Sequence, residues 1–104
     1  MIRLKSVMQI EGIAAAGSIV AEVLEMVSEA ASPGVSTGDL DEMAEGLIRG
    51  HLGATPAFKG LYGFPGTLCT SVNDEIVHGI PSFDRELMTG DIVSVDCGVQ
   101  LDGL

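Results

Sequence analysis

Large aromatic side chains are scarce in this chain of 104 residues, which has no tryptophan and only 4% aromatic residues. Its core must therefore be built mainly from leucine, isoleucine, valine, methionine and alanine. Hydrophobic residues still make up 46% of the sequence, which favours a compact fold over a disordered chain. At this length we expect one domain, residues 1–104, with a modest core.

Positive charge is also scarce. Five lysine and arginine residues stand against 15 aspartate and glutamate residues, so the net charge is −10. Proteins that bind nucleic acid present a basic patch to the phosphate backbone, and an acidic chain repels it. The sequence therefore predicts no nucleic-acid partner.

Only two cysteines are present, and Cys69 and Cys97 do not form a Cys-x-x-Cys motif. They are predicted to be ordinary buried thiols in a reducing compartment. The apolar N-terminal region contains Glu22 and Glu25, which we take to exclude a membrane-spanning helix. A cytoplasmic protein without a membrane partner is expected.

Two helices are predicted in the first half of the chain. The capping-box pattern Ser6-Val7-Met8-Gln9 begins a long helix that should end near Ser32-Pro33-Gly34. A second cap at Ser36-Thr37-Gly38-Asp39 begins a helix that should end between Gly50 and Gly53. Apolar residues at helical spacing predict the buried faces. In the first helix they are Val7, Ile10, Ala14, Gly17, Ala21, Leu24 and Val27, and in the second Leu40, Met43, Ala44, Leu47 and Ile48.

Short β-prone runs follow at Leu68–Val72, Ile76–His78 and Ile92–Leu101. In the last run apolar residues alternate with polar ones, which predicts a strand with one buried face. Because the helices precede the strands, the fold class is α+β, with two N-terminal helices packed on an antiparallel sheet. The strand leads into Asp102-Gly103, a hairpin-turn signal, and no returning strand follows before Leu104. We therefore expect a truncated chain with an open strand edge.

Few residues could carry chemistry. Asp96 lies on the polar face of the last predicted strand, and His78 precedes Gly79-Ile80-Pro81. The other candidates are His51, at a helix end, and the pair Asp74-Glu75. Taken one at a time, such residues are more often solvated, hydrogen-bonded or otherwise structural side chains than catalytic ones.

Considered together, the motifs resemble type I methionine aminopeptidases, and the resemblance covers essentially the whole chain. It implies the first half of the pita-bread fold, in which two similar α+β halves are related by an approximate twofold axis. The motifs that carry it are, in chain order, Pro33-Gly34-Val35-Ser36-Thr37, Pro56-Ala57-Phe58-Lys59-Gly60, Gly63-Phe64-Pro65, Ser71-Val72-Asn73-Asp74-Glu75-Ile76-Val77-His78-Gly79-Ile80-Pro81 and Gly90-Asp91-Ile92-Val93-Ser94-Val95-Asp96.

The resemblance also implies site residues. Enzymes of this family remove an N-terminal methionine from peptides with two divalent metal ions (cobalt, manganese, iron or zinc) held by five side chains. Asp96 matches the first aspartate ligand and His78 the catalytic histidine that hydrogen-bonds substrate. The methionine pocket is matched by Phe58, Phe64 and Cys69 and by Tyr62, although the family pattern Gly-Tyr-x-Gly reads Gly60-Leu61-Tyr62-Gly63 here. Either Leu61 or Tyr62 could therefore face the substrate.

Three functions remain open on the sequence. The first is a metal-dependent methionine aminopeptidase, but one of five ligands predicts that this chain alone holds no metal tightly and is inactive. The second is a non-catalytic half-fold that forms a homodimer through its exposed sheet or strand edge, with the second copy covering the Val93, Val95 and Val99 face, or that binds another partner. The third is a metal-free binding module on the same scaffold, against which the retained His78 and Asp96 argue.

Overall fold

The computed structural model describes residues 1–104 and begins with two helices, α1 (Val7–Ala30) and α2 (Thr37–Arg49). Both helices have a complete capping box. The Ser6 hydroxyl accepts the Gln9 N–H at 3.1 Å while the Gln9 side chain accepts the Ser6 N–H at 2.8 Å. Ser36 and Asp39 repeat this exchange at 3.0 Å in each direction. The predicted start of each helix is thus confirmed. Helix α1 ends at Ala30, two residues before the predicted stop at Ser32, and α2 ends at Arg49, one residue before Gly50.

The predicted buried face of α1 is wrong. Val7, Ile10 and Leu24 are 72%, 56% and 40% exposed. The buried residues of this helix are Ala16, Ile19, Val23 and Val27, of which only Val27 was expected. The helix carries apolar residues on almost every side, so their spacing alone does not select the face that meets the core.

The buried face of α2 agrees better with its sequence pattern. Leu40, Ala44 and Ile48 are completely buried, and Leu47 packs at the margin of the core. Met43 is the exception, at 42% exposed. Polar residues make up a larger share of α2 than of α1, and this contrast makes the apolar stripe of α2 informative.

Four strands form two antiparallel pairs. Strand β1 (Ala54–Pro56) pairs with β4 (Val99–Leu101), and β2 (Leu68–Val72) pairs with β3 (Val93–Cys97). The α+β class and the antiparallel pairing are confirmed. The predicted strand Ile92–Leu101 is interrupted at Gly98, where its partner changes from β2 to β1.

One predicted strand is absent, and one observed strand was not predicted. Ile76–His78 forms no strand, and Asn73 and His78 adopt left-handed conformations with φ of 56° and 60°. Such angles are incompatible with extended backbone. Conversely, Ala54–Pro56 was not predicted, because three residues ending in proline give almost no strand pattern.

The alternation in the last strands is confirmed. Ser94, Asp96 and Gln100 are exposed, while the apolar residues between them are partly buried against the core. Helix α1 packs against β3 and β4, while α2 packs against β1 and β2. The core consists of Ile19, Val23, Val27, Leu40, Ala44, Ile48, Ala54, Leu68, Val72 and Leu87.

One edge of the β3–β4 segment has no neighbouring strand. Backbone groups of successive residues in a strand point to opposite edges. The backbone groups of the even-numbered residues of this segment point toward β1 and β2. The carbonyl of Ile92 accepts the Asn73 N–H, and the carbonyl of Gly98 accepts the Ala57 N–H. The Asp102 N–H donates to the Gly53 carbonyl. The N–H and C=O groups of Val93, Val95, Cys97 and Val99 therefore face the open edge. The side chains of these residues, however, pack on the chain's own core, which corrects the expectation that a second copy covers them.

By length and composition alone, α1 is long and apolar enough to cross a membrane, and little of its most apolar stretch is buried. The sequence argument that Glu22 and Glu25 exclude a membrane span was therefore too strong. The core helix of a water-soluble protein passes the same test. Its buried residues Ile19 and Val23 pack in the core described above.

Candidate functional site

One cavity of about 610 Å³ brings the predicted site residues together. It contains all six residues that the resemblance assigns to substrate or metal. The segment between β1 and β2 supplies one wall, the β2–β3 pair supplies the floor, and the loop after β2 supplies the other wall. The lining residues are Phe58, Leu61, Tyr62, Gly63, Phe64, Pro65, Cys69, His78, Ile80 and Asp96.

The floor of the cavity is set by the register of β2 and β3, in which Cys69 lies directly opposite Asp96. Cys69 is buried and Asp96 is exposed to the cavity. Burial raises the pKa of the Cys69 thiol, and the nearby negative charges of Asp96 and Asp41 raise it further. Burial, followed by the charge of Asp96, raises the pKa of Cys97 to about 11. Both cysteines are free thiols, as predicted, although Cys97 is only partly buried.

His78 reaches the cavity from a loop, not from the predicted strand. Its neighbour Gly79 is fastened to β2, since the Gly79 N–H donates to Ser71 Oγ at 3.0 Å and the Gly79 carbonyl accepts the Thr70 N–H at 2.8 Å. A methyl group at Gly79 would lie 2.0 Å from the Thr70 carbonyl oxygen, so only glycine allows this approach. The exposed His78 is thereby held beside the strand that carries Cys69.

The aromatic wall is a tight loop around a 3₁₀ turn at Leu61–Gly63. The Gly60 N–H donates to the Phe64 carbonyl at 2.8 Å and closes the loop. Tyr62 has a left-handed conformation (φ 50°). Leu61 and Tyr62, the two candidates for the residue that faces the substrate, both border the cavity. Tyr62 is fully exposed, whereas Leu61 is 53% exposed.

Gly98, between β3 and β4, allows Phe58 to lie against the floor. A methyl group at Gly98 would sit 2.8 Å from Phe58 Cε1 and 3.1 Å from Ala57 Cβ. Real Cβ contacts are not this short, so any side chain here would displace the ring. The position of Phe58 in the cavity thus depends on the missing Cβ of Gly98.

The remaining sequence candidates lie outside the cavity. His51 pairs through Nε2 with Glu22 Oε2 at 2.7 Å and so connects the end of α2 to α1. Glu75 accepts the Val72 N–H at 2.8 Å, and Asp74 is exposed in the adjoining turn. His51 and Glu75 therefore have structural contacts outside the cavity. Sequence reasoning missed Ile80, although it lies two residues after His78 and the motif pointed to it.

A metal centre cannot be assembled from the side chains of the cavity. Asp96 is the one carboxylate among the lining residues, and no group of three or more His, Cys, Asp or Glu side chains is placed to hold a metal ion. A catalytic site for a zinc-type ion uses about three protein ligands and one open position. The donor set of these 104 residues does not fit such a centre.

Comparison with known proteins agrees with this geometry. The family model of "Metallopeptidase family M24" matches residues 11–104. The chain belongs to metallopeptidase family M24. Its sequence is 52% identical over 103 residues to a methionine aminopeptidase of Clostridium acetobutylicum and 50% identical over 99 residues to methionine aminopeptidase 1 of Mycobacterium tuberculosis. These matches cover 99% and 95% of this chain but only 41% and 37% of the relatives.

Solved M24 structures show the same fold. The crystal structures of methionine aminopeptidase from Thermotoga maritima and from Rickettsia prowazekii superpose with TM-scores of 0.94 and 0.93 at 39% and 38% identity. Each covers 99% of this chain, α1 included, and this chain spans 41% of each. The architecture is therefore that of the N-terminal part of the pita-bread fold. Complete M24 metallopeptidases use divalent metal.

Proposed function

We propose that the cavity binds the side chain of an N-terminal methionine, as part of the methionine aminopeptidase reaction of family M24. The observation that carries this proposal is the single cavity in which Phe58, Phe64 and Cys69 adjoin His78 and Asp96. Methionine is long, flexible and apolar, and its thioether makes favourable contacts with aromatic rings. A volume near 610 Å³ lies within the range of small-molecule sites, so it accommodates one residue and its adjoining peptide group.

The polar groups of the cavity fit the remaining tasks. His78 lies at the mouth, exposed, where its ring can hydrogen-bond a peptide group of the substrate. Asp96 can supply one carboxylate ligand to a divalent ion. Because the other ligands are missing from the donor set, we propose that these 104 residues bind substrate but do not hydrolyse it.

Methionine binding is tested by titrating the chain with L-methioninamide and following the amide resonances by NMR. We expect shifts at Phe64, Cys69 and His78, and much weaker shifts with alaninamide, which lacks the apolar side chain. Phe64→Ala should weaken binding, while Phe83→Ala, a change at an exposed ring outside the cavity, should not. Equal affinity for the two amides would refute the proposed specificity.

Hydrolysis is tested separately with the peptide Met-Ala-Ser and added cobalt, manganese, zinc or iron. We expect no release of methionine by the chain alone. Turnover that is present in the wild type and absent in Asp96→Ala would overturn this expectation. It would show that several chains assemble a complete metal centre.

The second candidate is a homodimer, and the open edge of β3–β4 favours it. A row of unpaired backbone N–H and C=O groups is a template for pairing with another strand. The exposed apolar residues of α1, including Val7, Ile10 and Leu24, would add surface for a second copy. Repulsion between two chains of charge −10 opposes association, although physiological salt screens it beyond about 8 Å.

Sedimentation equilibrium over a wide range of concentration measures self-association. Val95→Pro should weaken it, because the Val95 N–H faces the open edge. Val95→Ala also shortens the side chain but keeps the N–H, so it controls for the loss of core packing. A folded wild-type monomer at high micromolar concentration, or equal effects of the two variants, would exclude pairing at this edge.

A further inference from the structure

Helix α2 makes hydrogen bonds to both loop segments that form the walls of the cavity. The aromatic wall runs from Phe58 to Pro65 and is joined at both ends to acidic side chains of α2. The second wall carries His78 and Ile80 and is joined to the first turn of α2. None of these α2 residues lines the cavity.

Asp41 holds the end of the aromatic wall. Its Oδ1 atom accepts the N–H groups of Thr67 at 2.8 Å and Leu68 at 2.7 Å. These two residues are buried, and Leu68 is the first residue of β2. One carboxylate oxygen thus fixes the point at which the loop becomes a strand. Burial raises the pKa of Asp41, and its two backbone hydrogen bonds oppose that rise.

Glu45 holds the beginning of the same wall, one turn further along α2. Its Oε1 accepts from Lys59 Nζ at 2.5 Å and from Thr67 Oγ1 at 3.3 Å. Lys59 directly follows Phe58, the ring that lies on Gly98. The carboxylates of Asp41 and Glu45 therefore secure both ends of the loop that bears the aromatic side chains.

The second wall is fixed by the N-terminus of α2. Thr37 Oγ1 accepts the Ser82 N–H at 2.9 Å and donates to the Ser82 carbonyl at 3.2 Å. The Gly38 N–H also donates to that carbonyl, at 3.0 Å. The two walls meet at Gly66, where an added methyl group would lie 3.0 Å from Pro81 and 3.2 Å from Asp41 Oδ1.

We propose that Asp41 is a positioning residue that sets the separation between the aromatic wall and the His78 wall, and thereby the affinity of the cavity for its ligand. The part of this inference that concerns ligand affinity rests on the proposed methionine pocket. Asp41 accepts from one wall and lies beside Gly66, where that wall meets Pro81. Removal of its carboxylate frees the N–H groups of Thr67 and Leu68, and with them Gly66, to move away from Pro81. The hydrogen bond between Lys59 and Glu45 restrains the other end of the loop in the same way.

The test compares Asp41→Ala with Asp41→Asn and with Glu42→Ala. Asparagine keeps an oxygen that can accept both N–H groups, whereas alanine removes it. Glu42 lies beside Asp41 on α2 and makes no hydrogen bond to the loop. Glu42→Ala therefore removes the same charge from the same helix without removing a contact to the loop. The readouts are methyl resonances of Leu61 and Ile80, one in each wall, and the affinity for L-methioninamide.

In Asp41→Ala we expect the Leu61 methyl signals to shift and affinity to fall about tenfold, equivalent to about 1.4 kcal/mol. Asp41→Asn and Glu42→Ala should remain close to wild type. A role confined to stability would lower the free energy of unfolding in Asp41→Ala but leave the Leu61 signals and the affinity of the folded fraction unchanged, and that result would overturn the proposal. So would an equal effect of Glu42→Ala.

Two further outcomes are separable. If the wild type does not bind L-methioninamide, the proposed function fails, and the methyl signals alone decide whether Asp41 positions the wall. If Asp41→Ala does not fold, Lys59→Met takes its place, since Lys59 is a surface residue at the other end of the loop. Leu61 signals that stay at their wild-type positions in Lys59→Met would then contradict the inference.

Discussion

Cys69 and Asp96 face each other across the β2–β3 pair, one buried and the other exposed to the same cavity. The strand register alone produces this arrangement, since every residue of β2 has a fixed partner in β3. A thiol beside a carboxylate is less acidic than a free thiol, because the thiolate is repelled. Burial, together with this repulsion, therefore keeps Cys69 in its neutral form, which suits the floor of an apolar pocket.

Asp96→Asn should lower the pKa of Cys69 and increase its rate of alkylation by iodoacetamide near pH 8. The neutral amide no longer repels the thiolate, although burial, the larger cause, still holds the pKa above the ordinary value. Peptide mapping by mass spectrometry separates Cys69 from Cys97. Asp74→Asn changes the charge equally in an exposed turn and should leave the rate unaltered. A slower reaction in Asp96→Asn would contradict the electrostatic argument.

The corrected buried face of α1 predicts the relative effects of two substitutions. Ile19→Ala should reduce the free energy of unfolding by about 2–5 kcal/mol, because Ile19 is 4% exposed in the core. Leu24→Ala, at a residue that is 40% exposed, should cost less than about 1 kcal/mol. Urea denaturation measures both. A larger loss of unfolding free energy in Leu24→Ala than in Ile19→Ala would instead support the buried face predicted from the sequence.

Ser36→Ala should destabilise the fold by about 1 kcal/mol, since it removes the side-chain acceptor of the Asp39 N–H at the start of α2. Ser28→Ala, at an exposed position inside α1, is the matched control and should have almost no effect. Thermal unfolding followed by circular dichroism distinguishes them. Similar losses at both serines would mean that the cap contributes nothing.

Acid should weaken the contact between α2 and the aromatic wall. Hydrogen bonding by Lys59, then by Arg49, lowers the pKa of Glu45 below its ordinary 4.5. The stability that Glu45 contributes is thus present above pH 4.5 and is lost as the pH falls through its folded-state pKa. Solvent screening limits this contribution to about 1 kcal/mol or less. Glu45→Gln should be less stable than wild type at pH 7, with the difference vanishing in strong acid. A difference that persists unchanged at low pH would exclude ionisation as its cause.

Features encoded by local patterns were predictable. The two capping boxes identify the starts of both helices, and the alternation around Asp96 correctly placed its carboxylate on the face away from the core. Periodicity also identified Leu40, Ala44 and Ile48, because α2 has enough polar residues to define a stripe. The candidate site residues were proposed through the resemblance, since single histidines and aspartates carry no such pattern, and the structure places them around one cavity.

Features that depend on distant contacts were not predictable. The face of α1 is chosen by contacts with α2 and the strands, and an apolar sequence offers several equivalent faces. His78 lies in a loop because Gly79 packs on Thr70, a contact between residues whose pairing the sequence does not reveal. Asp41 escaped notice for the same reason. Its partners Thr67 and Leu68 lie 26 and 27 residues away.

Because Gly98 has no Cβ, the ring of Phe58 lies close to the backbone at this position, and this contact helps to set the width of the cavity. No atom of Gly98 lines the cavity, yet the ring of Phe58 occupies the space that a methyl group at Gly98 would fill. A side chain at position 98 would therefore alter the pocket from a position that ligand contacts would not identify. Substitutions of Phe58 by smaller residues would make room for such a side chain, so positions 58 and 98 should vary together across M24 sequences: a larger residue at 98 should occur only with a smaller one at 58.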